Sequence, residues 1–543
     1  MSIKEKYFHE NVVYQIYPRS YKDANGDGVG DIKGIISKLD YLKLLGIGII
    51  WLSPVYESPH DDMGYDVSNY YKIHKEYGTL EEMELLISEA KKRDIRIIMD
   101  LVVNHTSDEH EWFIKSKDVN SKYHDYYIWR KGRKNNTRPP NNWQSNFSGS
   151  AWKYDKDVDK WYLHLFSEKQ VDLNFHNKEV IEEVKKIIKF WMDKGIYGFR
   201  CDVINQIYKT SLDNGRQRIF LTGREHYLNQ EGNHLILKEL QRDVFSKYDS
   251  MTVGETFRVD FKNANKFLDD ELDMVFQFDH VNVDRFSVPL FKKKYRPRKL
   301  KKILFNWQKN VSWNTNYLEN HDQLRSIPRF GDEKNYYLES AKMLAMLTLL
   351  LKGTPFIYQG QEIGMLNIGT DNLEDIKDVA AVTVYNLLRK LLIPHRLALK
   401  LVNTINRDNA RTPMQWDKTH NAGFTSGDPW LKVNPNYQNI NVENNLKDPN
   451  SLFYFYQKLI KLRKEIKALS YGNFNALSTS GNLIAFTRTF GEDEYTVILN
   501  LTNKKRKNPL FLRGEVILSI YGETNYEDKK HLAPYEGALI KTS

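Results

Sequence analysis

Short runs of apolar, mostly β-branched residues recur along the chain, each followed by polar residues and then a longer segment with helical spacing. The predicted strands are Val12 to Tyr17, Ile47 to Leu52, Ile95 to Val103, Gly198 to Val203, Met251 to Glu255, Met274 to Phe278, Thr315 to Leu318 and Thr354 to Tyr358. Eight strands alternating with helices predict an α/β fold, a parallel sheet closed into a (β/α)8 TIM barrel. Two stretches break the rhythm. Residues 104–175, after the third strand, are rich in Asn, Ser, Trp and Tyr and predict an excursion domain. Residues 367–401 carry a leucine-rich helical pattern that no minimal barrel needs, and predict an insertion. From residue 470 the pattern becomes short alternating runs such as LIAFTRTF and YTVILNL, punctuated by Gly and Asn. Residues 470–543 are therefore expected to form an antiparallel β-sandwich domain, leaving 1–103 and 176–469 as the barrel.

Composition narrows the classes. With 543 residues and one cysteine, Cys201, the chain is too long for a single core and has no thiol pair for a disulfide scaffold. The first residues alternate charge with aromatics and lack the apolar core of a secretory leader, so a cytoplasmic protein is expected. The longest apolar run, Met343 to Leu351, is far short of the roughly 18 residues of a membrane span, so no membrane partner is expected. A net charge of +10 would permit a nucleic-acid partner, but the basic runs Lys292 to Lys302 and Lys504 to Lys507 lack interleaved aromatics or a binding motif. They are read as solvated surface, with no nucleic acid bound.

Four polar clusters fall at predicted strand ends: Asp100-Leu-Val-Val-Asn104-His105, Gly198-Phe-Arg200-Cys-Asp202-Val203, Gly254-Glu255-Thr256 and Asn320-His321-Asp322. Any one alone is more often a cap or an ion-pair partner. Together they matter, because the carboxyl ends of parallel barrel strands converge on one face. Carboxylates, an arginine and histidines in one cleft suit cleavage of a glycosidic bond, which needs one protonated and one ionised carboxyl group. Arg200 lies two residues before Asp202, on the same side of the strand, and favours Asp202 as the ionised nucleophile and Glu255 as the acid.

Asp23-Ala-Asn25-Gly-Asp27-Gly-Val29-Gly-Asp31 places oxygen side chains at alternate positions with glycine at the sixth, like the first half of a calcium loop. The twelfth position is Gly34 in place of the bidentate glutamate, which argues against an EF-hand. A structural Ca2+ held by Asp23, Asn25, Asp27, the Val29 carbonyl and Asp31 is expected, against the alternative of a solvated Asx-turn loop.

These residues resemble glycoside hydrolase family 13, the α-amylase superfamily, and within it the oligo-1,6-glucosidase group. The resemblance rests on DLVVNH at Asp100 to His105, QVDLN at Gln170 to Asn174, GFRCDV at Gly198 to Val203, VGET at Val253 to Thr256 and ENHD at Glu319 to Asp322. SPHDDMGYD at Ser58 to Asp66 and ARTPMQW at Ala410 to Trp416 add to it. It implies Asp202 as nucleophile, Glu255 as general acid/base and Asp322 as the carboxylate that stabilises the transition state. It also implies His105, Arg200 and His321 in the same subsite, Tyr65 stacked on the sugar, and Asp66 with Arg411 on the outermost hydroxyl of a terminal glucose. The implied enzyme is a retaining, exo-acting α-glucosidase for small oligosaccharides, expected to be a monomer. Val203, after the nucleophile, points to α-1,6 linkages.

Departures from the family pattern are Val171, Phe175, Leu324 and Gln361, all outside the triad. Asn282-Val-Asp284-Arg285-Phe286 only partly matches the arginine-rich segment of sucrose isomerases, and Ala24-Asn25-Gly26-Asp27 differs from the loop of trehalose-6-phosphate hydrolases. Both remain as alternatives. A catalytically silent interaction subunit on this fold is disfavoured by the retained Asp202, Glu255 and Asp322.

Overall fold

The computed structural model describes residues 5–286 and 290–543; residues 1–4, where the reading for a leader began, lie outside the described residues. Eight strands form one parallel sheet: β1 Val13–Ile16, β2 Ile49–Leu52, β3 Arg96–Leu101, β4 Gly198–Cys201, β5 Met251–Glu255, β6 Met274–Phe276, β7 Thr315–Asn316 and β8 Thr354–Tyr358. Their order is β6-β5-β4-β3-β2-β1-β8-β7. The ends of this order meet where the Thr315 hydroxyl donates to the Val275 carbonyl at 2.9 Å, which closes the TIM barrel.

The strands are continuous apolar runs because both faces are buried. Val13, Ile49, Trp51, Ile98, Met251, Val253, Met274, Phe276 and Phe356 fill the interior. The alternate residues Tyr14, Ile50, Ile97, Phe199 and Cys201 join the core shared with the outer helices. Helix α1, Lys178–Asp193, starts at the Asn177 side chain, which accepts from the Glu179 N–H. It buries Val180, Ile181, Val184, Ile187, Ile188 and Trp191, one stripe at helical spacing. Helix α2, Tyr337–Leu350, holds the longest apolar run and is buried almost all round between the barrel, helix α3 (Leu452–Glu465) and the C-terminal sheet. Among the described residues no helix is long and apolar enough to cross a membrane.

After β3 the chain leaves the barrel. His105–Ser107 pairs antiparallel with Gln170–Asp172, so the outgoing and returning strands lie side by side. Between them Trp129–Arg130, Lys160–Leu163 and Trp152–Asp155 form a small antiparallel sheet. Trp143, Trp152, Leu163 and Leu165 pack there with Tyr227, which comes from the segment after β4. The insertion carries helices Val379–Lys390 and His395–Val402, packed on each other around Tyr385, Leu388, Ala398 and Val402.

At the C-terminus five strands, β9 Asn473–Ala476, β10 Leu483–Phe490, β11 Asp493–Asn500, β12 Glu515–Ser519 and β13 Gly537–Lys541, form an antiparallel sheet in the order β9-β10-β11-β13-β12. The β10–β11 turn needs Gly491, whose φ is +62°. Leu483, Ala485, Ile498 and Ile540 point to one side and pack with Leu532 of a two-stranded ribbon. Ile484, Phe486, Val497 and Leu499 point to the other and join the main core. Period-2 alternation thus decides which residues face the ribbon and which face the barrel.

Candidate active site

The inward row of β4 is Gly198, Arg200 and then Asp202, and the parallel register sets Arg200 beside Asp100 of β3. Arg200 is buried, and its guanidinium holds three carboxylates. Nη1 donates to Asp100 Oδ1 at 2.6 Å and to Asp202 Oδ1 at 2.5 Å, while Nη2 donates to Glu255 Oε2 at 2.7 Å. Trp51 Nε1 donates to the second Asp100 oxygen at 2.9 Å, so Asp100 anchors Arg200. The backbone N–H of Val203 donates to Glu255 Oε2 at 3.2 Å. To aim it there Val203 adopts φ +35°, a left-handed conformation that a β-branched residue rarely takes.

Burial pushes the Glu255 carboxyl up to about 7; Arg200 opposes the shift, and the charges of Asp202 and Asp322 add to it. Burial also raises Asp202, to about 6, against the same guanidinium. Asp322 behaves oppositely. Burial would raise it, but His321, Arg407 and Arg411 hold it well below the usual carboxylate range. His321 is pushed down to about 3, chiefly by burial, with Asp322 opposing the shift. It sits between Gln15 at 2.7 Å and the Tyr65 hydroxyl at 2.8 Å, its ring stacked on Tyr65. His105, also lowered by burial, lies 3.0 Å from the Tyr65 carbonyl.

A cavity of about 130 Å³ opens over these groups, lined by Asp62, Tyr65, His105, Phe147, Phe166, Gln170, Asp202, Val203, Glu255, Asp322 and Arg407. Among the expected site residues, Asp202, Glu255, Asp322, Tyr65 and His105 face it, with Arg200 and His321 directly behind. Asp66 and Arg411 do not meet across it. Asp66 is fully buried and accepts from the N–H groups of Asp61 at 2.8 Å and Asp62 at 3.1 Å and from the Ser58 hydroxyl at 2.9 Å. It holds the loop and is not part of the cavity lining. Arg411 is likewise buried, donating to the His321 carbonyl at 2.9 Å and to Asp322 Oδ1 at 2.8 Å.

The pair that bridges the cavity is Asp62 and Arg407, neither singled out from the sequence. Arg407 Nη2 donates to Asp62 Oδ1 at 3.0 Å, Nη1 to Asp322 at 3.3 Å, and Nε and Nη2 to Asp378 of the insertion at 2.9 and 2.7 Å. The expectation missed by one turn in each case: four residues separate Asp62 from Asp66 and Arg407 from Arg411. Phe147 and Phe166 were also missed, since nothing in an aromatic-rich excursion marks which rings turn inward. Gln170 lies in a motif already noted, and its amide donates to Asp62 at 3.3 Å and to the Tyr65 carbonyl at 3.1 Å. Val171, Phe175, Leu324 and Gln361 are buried away from the cavity lining. Cys201 points into the outer core, where burial raises its thiol to about 12.

The loop from Asp23 to Asp31 is built from oxygens. Asp23 Oδ1 accepts from the N–H groups of Asn25 and Gly26, and Oδ2 from Gly28. Asp31 accepts from Ala24 and Gly34, and Asp27 from Val29. Gly28, at φ +89°, passes so close to the Asp428 carbonyl that a Cβ would lie 1.8 Å from it. Burial raises the Asp31 carboxyl, with the charge of Asp23 adding to the shift and the Ala24 and Gly34 N–H groups opposing it; among the described residues the carboxylate oxygens of Asp23, Asp27 and Asp31 do not all come within 4.8 Å of one another.

The family model for the α-amylase catalytic domain matches residues 15–472. The oligo-1,6-glucosidases of Parageobacillus thermoglucosidasius and Bacillus cereus are each 47% identical, covering 98% and 99% of this chain and 99% and 100% of their own. Among solved structures, the trehalose-6-phosphate hydrolase of Bacillus licheniformis superposes with a TM-score of 0.92 at 41% identity, over 99% of this chain and 100% of its own. The isomaltulose synthase of a Klebsiella species superposes with a TM-score of 0.94 at 40% identity over the same shares. A TIM barrel with this coverage defines the class, and the chain belongs to glycoside hydrolase family 13, the α-amylase family.

Proposed function

We propose that the protein is a retaining, exo-acting α-glucosidase that hydrolyses terminal α-1,6-glucosidic bonds of isomaltose-type oligosaccharides. The observation that carries the mechanism is the Arg200 fork, which holds Asp202 and Glu255 on adjacent nitrogens, while burial and the charges of Asp202 and Asp322 raise Glu255 toward the protonated form an acid needs. Neighbouring carboxyls on one fork suit the separation of about 5–5.5 Å used in double displacement. An Asp202 oxygen attacks the anomeric carbon as Glu255 gives its proton to the leaving glycosidic oxygen, forming a β-glucosyl ester. The resulting Glu255 carboxylate then takes a proton from water, whose oxygen displaces Asp202 and restores the α configuration.

Asp322, kept ionised by Arg411 and Arg407, supplies the fixed negative charge that an oxocarbenium-like transition state favours. Asp62 and Arg407, bridging the cavity, suit the outer hydroxyls of a terminal glucose and support exo action. Val203 and the 47%-identical oligo-1,6-glucosidases support the α-1,6 linkage. The oxygen loop supports a structural Ca2+ held by Asp23, Asn25, Asp27, the Val29 carbonyl and Asp31, which would clamp the turn after β1.

Product analysis with isomaltose, panose, maltose, sucrose and trehalose-6-phosphate tests the reading. Glucose from isomaltose, with little from maltose, is expected. Isomaltulose or trehalulose from sucrose would move the function to an isomerase, and glucose 6-phosphate from trehalose-6-phosphate to a phosphodisaccharide hydrolase.

A further inference from the structure

Beside the pocket loop, three side chains bring ligand atoms of a different kind together. His60 Nε2 lies 3.1 Å from His74 Nδ1 and 3.4 Å from Glu76 Oε2, and His74 Nδ1 lies 3.8 Å from the same Glu76 oxygen. Among the described residues this is the one group of three His, Cys, Asp or Glu side chains whose ligand atoms all lie within 4.8 Å of one another. An ion bound tetrahedrally at about 2.0–2.2 Å requires ligand-to-ligand edges of about 3.3–3.6 Å. The three observed edges bracket that value.

The local fold holds these groups in place. His74 directly follows strand Asn69–Ile73, whose Ile73 pairs with Tyr56, and its N–H donates to the Val55 carbonyl at 2.9 Å. His60 stands three residues after the partner strand Tyr56–Glu57 at φ +63°, its N–H donating to the Ser58 hydroxyl at 3.0 Å. The two imidazole rings pack edge to face 4.1 Å apart against Tyr77. Both histidine side chains are largely buried, while Glu76 is one-third exposed.

We propose that His60, His74 and Glu76 form a binding site for one zinc-class transition-metal ion, separate from the sugar pocket and from the oxygen loop. Two imidazoles and one carboxylate are a donor set for zinc, cobalt or nickel rather than calcium. His74 Nδ1 now accepts from the Glu76 backbone N–H at 3.3 Å, a contact that an ion would replace. Arg19 Nη1 donates to the Glu76 oxygen at 2.8 Å, an outer-shell contact of the kind that orients a ligating carboxylate. The ion would staple the two ends of the segment that carries Asp62 and Tyr65, and so brace one wall of the pocket.

The test uses the full-length protein, stripped with a chelator and then held in excess Ca2+ so that oxygen sites are filled. Co2+ is titrated by its visible absorption and Zn2+ by calorimetry. One ion per chain with the intense bands of four-coordinate cobalt is expected, together with a rise in Tm on adding Zn2+. His60→Asn, chosen because Asn tolerates positive φ, and His74→Asn should each weaken binding at least about tenfold. The double variant should lose the cobalt bands while keeping the Tm that wild type has in chelator. Failure of wild type to bind a stoichiometric ion, or unchanged Zn2+ affinity in a folded double variant, would overturn the proposal.

Discussion

Replacing Glu255 by Gln keeps the size of the side chain and leaves an amide oxygen to accept from Arg200 Nη2 and Val203 N–H, now at 2.7 and 3.2 Å. What disappears is the proton. General acid–base assistance is worth about 10² to 10⁴ in rate, or about 2.7 to 5.4 kcal/mol of barrier, and isomaltose has a poor leaving group that needs the full amount. The wild-type rate should fall as pH drops through about 6, where Asp202 takes up a proton, and fall again as pH rises above about 7, where Glu255 loses one. The variant should lose the alkaline limb and keep the acid one. The assay is kcat/KM for glucose release from isomaltose across pH, with a thermal melt to show that the variant is folded. A folded Glu255→Gln enzyme that kept more than a tenth of wild-type activity, or still showed the alkaline limb, would refute the assignment of Glu255 as acid.

Asp62→Asn should lower kcat/KM for isomaltose by roughly 10- to 150-fold, the worth of a charged hydrogen bond of about 1.5–3 kcal/mol, whereas Asp66→Asn should act mainly on Tm; equal kinetic losses with unchanged melts would remove the distinction between the two. Val203→Thr should shift the ratio of maltose to isomaltose hydrolysis toward maltose by no more than about 1–3 kcal/mol, and no shift would strip Val203 of its part in linkage choice. Chelation of Ca2+ should lower the Tm of wild type but not that of Asp27→Ala, which removes one oxygen donor from the loop; equal shifts in both would place the ion elsewhere.

Strand period, a local property of the chain, with the shared face of parallel strand ends suffices to find the core of the site. In β4 every second residue faces inward, so Arg200 and Asp202 share a side while Cys201 is sent to the outer core. Parallel order then delivers Asp100, Asp202 and Glu255 to the same barrel end, where one guanidinium can hold all three. Alternation likewise specifies the C-terminal sheet, in which Ala485 and Phe486 turn to opposite cores.

Loops obey no such period. Asp62 and Asp66 are equally acidic in sequence, yet the loop turns Asp66 onto the N–H groups of Asp61 and Asp62 and leaves Asp62 for Arg407. Arg407 precedes a single turn, Asp408–Arg411, that Arg411 ends, and both reach the same Asp322 oxygen; only the packing around that turn sends Arg411 under the site and Arg407 across its mouth. Phe147 and Phe166 reach the pocket from a domain whose docking is set by contacts far apart in sequence, including Tyr227 from beyond β4. The sequence by itself determined the barrel, the carboxylates at its strand ends and the class of chemistry, through repeats that act over a few residues. The tertiary structure decided which acid and which arginine close the pocket, that Val203 is bent to φ +35° beneath Glu255, and that His60 meets His74 and Glu76, because each depends on where separate segments come to rest against one another.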